Sequence, residues 1–397
     1  MLLPLALLLI SGAVVVWVYA GYPALLLLLA RTRPRPRERK STHQPVAVLV
    51  AAHNEEDVIA AKVENVLSSR FPLPLIEIVV ASDGSTDRTV EAARRAGAHR
   101  VLDLPRVGKI TALNAGVEVA SGEVLVFTDA DSMFRPDTLE ELMANFADPA
   151  VGGVSANEVS AIEADASGVA RGEGLYWRYE QWIKRYEDKV GSAVSASGRL
   201  YAVRRSLFRP STVTSGTDDF VISTQVVKAG RRLAFDERTI VMVDTPTDST
   251  SELRRRVRVM NRGLRAAFSL GGLLLPWRGG FYSVQVLSHK VLRRFLAFFL
   301  VAALAASVWL VTTSPVWWVV LGPQLLFYAL AVAGWAGRGH VWGKARPLWI
   351  PYYFCLVNAA AAIAVLSVLG GVRFERWEVA REARKPVALQ AAGSEGD

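Results

Sequence analysis

Apolar positions follow two regimes along the chain. Residues 2–30, 295–337 and 348–372 run without a charged side chain. Crossing about 30 Å of hydrocarbon takes roughly 20 helical residues. The first run therefore predicts one anchor, with Gly21 and Pro23 allowing a kink or an interfacial stretch. The second predicts two spans separated by Thr312, Thr313, Ser314 and Pro315. The third is long enough to cross, but Pro351 and Asn358 interrupt it, so it reads either as a full span or as a re-entrant or split segment. Between these ends the pattern changes to short apolar runs at 46–52, 76–81, 101–104, 124–127 and 151–154, bounded by turn residues. Helical spacing lies between them: Ile59, Val63, Val66 and Leu67 form one face, with Asn54 expected as the N-cap, and further helices are expected at 86–95, 110–120 and 138–146. This alternation predicts an α/β sheet.

Charge refines the picture. The chain has 397 residues, 51% of them apolar and 21% charged, with a formal net charge of +9. That balance is too greasy for a wholly soluble domain and too charged for a bundle of spans alone. The basic residues cluster beside the apolar runs: Arg31, Arg33, Arg35, Arg37, Arg39 and Lys40 follow the first directly. By the positive-inside rule they place the middle of the chain in the cytoplasm. This linker reads equally as a plain solvated connection or as a lipid-binding strip. After the last run, Arg373, Arg376, Arg381, Arg384 and Lys385 favour the same side, whereas three full crossings would put the tail outside. The first run lacks the charged start and short apolar core of a signal peptide. A single cysteine, Cys355, excludes an intrachain disulfide, a cysteine-ligated zinc cluster and a redox pair. Membrane lipids are the expected partner of the basic charge; no interleaved basic and aromatic stripe points to nucleic acid.

In an open α/β sheet, ligands sit outside the carboxyl ends of the strands. There the sequence places His53, Asn54 and Glu55, then Asp83 to Asp87, then Asp129, Ala130 and Asp131. Three acidic strand ends thus converge on one edge, with no GxGxxG or GxxxxGK[ST] loop. Carboxylates facing a nucleotide need a cation between them and the phosphates, or hydroxyls and base edges to accept from. Asp129 and Asp131, at alternate positions of an extended segment, point the same way. Their hard oxygens suit Mg2+ or Mn2+. Alternatives stay open: Asp83-Gly84 also reads as an Asx turn, His53 as a loop residue and Lys109 as a solvated helix start.

Together these segments resemble family 2 glycosyltransferases. The matching stretches are VAVLVAAHNEED at 46–57, IVVASDGSTDRT at 78–89, GKITALNAG at 108–116, VFTDADS at 126–132, SASGRLYAVRR at 195–205, GTDDF at 216–220 and the arginine run from Arg254. The anchor and the C-terminal apolar bundle resemble the polysaccharide-synthase-like members. The resemblance implies an α/β GT-A (Rossmann-like nucleotide-sugar) domain plus transmembrane α-helices. Its divisions are an anchor over 1–30, a basic linker over 31–44, the GT-A domain over 45–250, an amphipathic basic segment over 251–294, about three spans over 295–372 and a polar tail over 373–397. It further implies that Ala51, His53 and Glu55 line the nucleobase and ribose pocket, that Asp83 contacts base or ribose, and that Lys109 lies by the phosphates. Asp129 and Asp131 would hold the metal, and Asp219 would be the general base. Asp218 would join the substrate site, or the acidic pair would simply favour a helix N-terminus. Arg255 and Arg258 would reach a diphosphate or membrane phosphates. The family's Gln-x-x-Arg-Trp segment is not matched, since Val259 stands where its tryptophan would fall; the run also reads as a basic interfacial helix.

The implied activity is inverting transfer of a sugar from a nucleotide diphosphate sugar, a UDP-sugar in the first instance, to a lipid or glycan acceptor at the bacterial inner membrane. The catalytic domain would be cytoplasmic and the chain multi-pass. Processive polysaccharide synthesis with translocation through the C-terminal helices, and a non-catalytic nucleotide-sugar-binding scaffold, are the alternatives.

Overall fold

The computed structural model describes residues 2–160, 168–211, 217–243 and 249–374. Gly216 of the GTDDF stretch and the tail arginines from Arg376 onward lie outside the described residues. Helix α1 (Leu2–Val16), a π-helical turn at Trp17–Gly21 and α2 (Tyr22–Thr32) form one continuous apolar rod. The wide turn falls where Gly21 and Pro23 predict a kink. Leu2, Leu9 and Ile10 of α1 are exposed, whereas Tyr22 and Leu26 of α2 are buried against Ile183. The second half of this rod thus packs on the rest of the fold. The linker that follows is anchored through two of its arginines, while Arg31, Arg33, Arg35 and Lys40 stay exposed. Arg37 pairs with Asp188 and Arg39 with Glu141 and Asp236, which straps the chain across the domain before the first strand.

One eight-stranded mixed sheet forms the domain: β1 (Val46–Ala52), β2 (Ile76–Asp83), β3 (Arg100–Leu104), β4 (Val124–Asp129), β5 (Met133–Phe134), β6 (Val151–Ser160), β7 (Leu200–Arg204) and β8 (Arg232–Val243), in the spatial order β3-β2-β1-β4-β7-β6-β8-β5. Strand β1 is buried on both faces, which is why it reads as an unbroken apolar run rather than an alternation. Its odd and even positions feed two separate cores. Val46, Val48 and Val50 pack with Ile59, Val63 and Val66 of α3 (Ile59–Leu67). Ala47, Leu49 and Ala51 pack with Leu113 and Val117. Helices α4 (Thr89–Arg95), α5 (Lys109–Val119) and α6 (Thr138–Ala144) complete the layers.

Two local expectations change. Helix α3 starts at Ile59, and Asn54 is not its cap. Asn54 instead takes a left-handed backbone (φ 53°), and its Oδ1 accepts the Thr86 N–H at 2.8 Å, tying the loop after β1 to the loop after β2. Helix α4 starts at Thr89 rather than Thr86, because Asp83–Arg88 is used as that loop.

Helix α7 (Gly168–Val190) and α8 (Asp218–Lys228) flank the antiparallel half of the sheet, and α9 (Ser249–Phe268) runs beneath it. Short α10 (Pro276–Gly279) and α11 (Phe281–Gln285) lead to α12 (Arg293–Thr313), α13 (Trp318–Ala336) and α14 (Arg346–Leu369). Among the described residues, four helical stretches are long and apolar enough to cross a membrane: Leu2–Thr32, Phe281–Thr313, Pro315–Ala336 and Arg346–Leu369. The last is one unbroken helix despite Pro351, so it is not split. Its second half lies along α9: Ala360 and Ala364 pack on Val257, and Asn261 and Arg265 donate to the Val372 carbonyl at 3.3 and 2.7 Å. The opposite side of α9 buries Ala266 and Ala267 with Val194 and Phe220 of the catalytic domain.

Candidate active site

Parallel register sets the site's floor. Ala51 is level with Ala81 on β2 and Asp129 on β4, so the loops after the three strands open on one edge. Ala51 itself is fully buried among Leu49, Val79 and Leu113. It backs the edge from within the core. Glu55 is also buried, and its N–H donates to Thr89 Oγ1 at 2.8 Å. His53 keeps a partly open position; its Nδ1 lies 2.8 Å from the Asp83 carbonyl oxygen, to which it donates.

Asp83 is buried, and its carboxylate accepts the N–H groups of Val107 at 2.6 Å and Gly108 at 2.8 Å and pairs with Arg106 at 2.8 Å. Asp83 therefore holds the 106–108 loop beside the expected base and ribose site. A Cβ on Gly84 would meet the Arg106 backbone nitrogen at 2.8 Å, so the two loops approach as closely as they do only because residue 84 is glycine. Gly108, at φ 90°, then turns the chain into α5 and delivers Lys109 as its first residue.

Lys109 joins the two halves of the site. Its Nζ lies 2.7 Å from Asp129 Oδ1 and 3.2 Å from Asp218 Oδ2. Burial would lower its amine, but the Asp129 and Asp218 carboxylates outweigh this and hold it above the ordinary lysine value. Asp131 faces a second cation, Arg199, whose guanidinium nitrogen is 2.6 Å from Asp131 Oδ1 and 3.7 Å from Asp129 Oδ2. The two aspartates therefore reach one guanidinium, although the expected extended segment stops at Asp129, and Ala130 and Asp131 form a turn. Lys62, fully buried behind them, donates to the Ser132 carbonyl and sits 3.5 Å from the Phe134 ring centre, fixing the turn that carries Asp131.

Asp218 and Asp219 open α8. Asp218 is buried and takes a hydrogen bond from the Tyr201 hydroxyl at 3.3 Å as well as the Lys109 contact. Asp219 lies on the Gly198 side, where an added Cβ at residue 198 would sit 3.7 Å from its carboxyl carbon. Burial and the neighbouring Asp218 charge push the Asp219 carboxyl above the usual aspartate range. Glu158, bonded by the Ser197 hydroxyl, is raised by burial as well, and it lies within electrostatic reach of Arg199, Asp219 and Arg255. Arg255 thereby approaches the same cluster; Arg258 follows one turn later on α9. Arg256 between them is spent on structure, its guanidinium stacked 4.6 Å from Tyr176 and 5.4 Å from Tyr353.

Arg199, Lys62, Tyr201 and Glu158 were not legible as site residues in the sequence. Arg199 stands inside the quoted SASGRLYAVRR stretch, but nothing in its spacing links it to Asp131. The antiparallel pairing of β7 with β4, Leu200 opposite Thr128, brings it there.

A nucleotide-binding edge with an aspartate pair, an acidic helix start opposite it and a membrane bundle below define a GT-A transferase domain on a membrane protein. Residues 47–208 match the sequence model of glycosyl transferase family 2. The poly-beta-1,6-N-acetyl-D-glucosamine synthase of Staphylococcus aureus (strain MSSA476) is 26% identical over 227 residues, 54% of this chain and 53% of the relative. The synthase of the same name from Staphylococcus epidermidis is 26% identical over 231 residues, 55% of each. The chain spans about half the length of the curated relatives it matches. Among solved structures, a mannosyltransferase from Pyrobaculum calidifontis in complex with GDP-Man and Mn2+ superposes with a TM-score of 0.67 at 22% identity, covering 91% of this chain and 99% of that one. The shared fold thus includes the helices beyond the catalytic domain.

Proposed function

We propose that the protein transfers a hexose or N-acetylhexosamine from a nucleoside diphosphate sugar to a lipid or glycan acceptor at the membrane, by inverting single displacement. The observation that carries this reading is Lys109, which bonds the strand-end Asp129 and the helix-start Asp218 together. The donor edge and the residues beside Asp219 thereby become one site. A sugar hydroxyl is a poor nucleophile until a carboxylate takes its proton. Asp219 is half-buried, and burial and the Asp218 charge raise its carboxyl, so it holds that proton more readily than an ordinary aspartate.

Asp129 and Asp131 fit a divalent cation: they are partly exposed, they converge, and both are hard oxygen donors. Among the described residues no group of three or more His, Cys, Asp or Glu side chains stands close enough to hold an ion by itself. The remaining ligands would come from the diphosphate and water. When bound, Mg2+ or Mn2+ would neutralise charge on the departing diphosphate. Lys109 and Arg199 supply fixed positive charge to the same edge, and Arg255 adds a third cation on the Glu158 side.

The catalytic domain sits on the cytoplasmic side in this reading, where nucleotide sugars are made, with α1, α12 and α13 crossing and α14 returning along α9. The curated relatives are named as polymer synthases, which favours a second reading in which the product is extended repeatedly. Nucleotide sugars presented to purified protein with lipid extract test both. Sugar-dependent release of nucleoside diphosphate, abolished by chelator and accompanied by inverted anomeric configuration, supports the proposal. A ladder of long products favours extension and a single-sugar shift opposes it. No release with any donor rejects both.

A further inference from the structure

We propose that Arg199 is a resident cation at the Asp129 and Asp131 pair, one that makes the metal enter together with the nucleotide and then binds the diphosphate itself. The inference rests on the transferase reading of this edge.

Arg199 is placed with precision. Its backbone carbonyl accepts the Thr128 hydroxyl at 2.9 Å, and its neighbour Leu200 pairs with Thr128, so the residue is fixed beside the end of β4. From there one guanidinium nitrogen reaches both aspartates, at 2.6 and 3.7 Å. Lys109 takes Asp129 and Asp218 from the other side. Asp129, Asp131 and Asp218 directly face Lys109 and Arg199, and with Asp219, Glu158, Lys62 and Arg255 close by the cluster sets five carboxylates against four cations. A bare divalent cation would overturn this balance and would have to displace a hydrogen-bonded guanidinium. A divalent cation arriving with the two negative charges of a nucleotide-sugar diphosphate leaves the balance unchanged. Once Asp131 turns to the metal, the planar N–H face of Arg199 is released at the place where the diphosphate lies, and guanidinium matches phosphate oxygens with paired hydrogen bonds. Lysine, a point charge, supplies the repulsion but not the paired geometry.

The test uses the full-length protein in detergent, with Mn2+ as the metal probe and UDP and GDP as separate nucleotide probes, and Mn2+ binding followed by the electron paramagnetic resonance signal of the free ion. Wild type should bind Mn2+ at least tenfold more tightly with the preferred nucleotide than without, the scale of one charge-assisted hydrogen bond. Arg199→Gln should strengthen nucleotide-free Mn2+ binding by roughly tenfold and weaken nucleotide binding at saturating Mn2+ by a similar factor. Arg199→Lys should keep the nucleotide-free Mn2+ affinity near wild type while still losing nucleotide affinity. Unchanged Mn2+ affinity in Arg199→Gln, with thermal unfolding at the wild-type temperature, overturns the proposal; so does weaker Mn2+ binding in that variant. Asp131→Asn separates the two levels of inference. If it binds Mn2+ as wild type does, the metal site itself is misplaced, whatever Arg199 does.

Discussion

Replacing Lys109 with methionine removes the one side chain that holds Asp129 and Asp218 together while preserving its aliphatic length. The two contacts measure 2.7 and 3.2 Å, and the lysine side chain is 12% exposed. Loss of a partner from a buried, charged hydrogen bond costs about 1.5–3 kcal/mol. Neither aspartate is stranded, because Asp129 keeps Arg199 at 3.7 Å and Asp218 keeps the Tyr201 hydroxyl at 3.3 Å. The combined loss should therefore fall at the lower end, about 3 kcal/mol for the two contacts. Denaturant titration in detergent, followed by tryptophan fluorescence, reads this as a lower midpoint at unchanged slope. The lysine is held above its ordinary pKa in the folded state, so its contribution is complete below that ordinary value and fades only as pH rises through the folded one. The deficit should accordingly be constant between about pH 6 and 9. A loss under about 0.5 kcal/mol, the scale of an indifferent surface substitution, would refute the view that Lys109 clasps the two halves of the site.

Other expectations are quickly checked. Asp219→Asn should lower kcat by roughly 10²-fold with donor affinity little changed; near-normal turnover would move the base elsewhere. Because Asp218 raises the Asp219 carboxyl and Lys109 lowers it, the acidic limb of the kcat profile should shift to lower pH in Asp218→Asn and to higher pH in Lys109→Met, and shifts in the same direction would disprove that coupling. Asp83→Asn should loosen the 106–108 loop and weaken donor binding through Lys109, seen as faster amide exchange at Val107 and Gly108; unchanged exchange would return Asp83 to direct ligand contact. In the proposed topology α14 returns along α9, with Val372 bonded to Asn261 and Arg265, so a reporter fused after Asp397 should be active only in its cytoplasmic form; a signal from the far side would show that α14 crosses.

How far the sequence reaches is visible strand by strand. The apolar run at 46–52 coincides with β1 because a strand buried on both faces leaves no polar alternation to misread. The polar residues after each run fall on one edge because parallel strands share a direction, so the nearness of Asp129 to the loops after β1 and β2 was legible from local pattern alone. The membrane runs were equally legible, since bilayer thickness fixes their length. Arg199 was not, because its partner lies 68 positions away and only the β4 to β7 register brings them to 2.6 Å. The loop contacts of Asp83 were not legible for a related reason: the groups that bond its carboxylate come from residues 106–108, a loop whose path depends on β3 pairing with β2. The last apolar segment shows the same division. Composition made it long enough to cross, whereas the packing of Ala360 and Ala364 on Val257 of α9 is a tertiary contact that hydropathy does not reveal. Chain-local periodicity and bilayer length fixed the elements; the ion pairs that organise the site are contacts between distant segments, and only folding selects them.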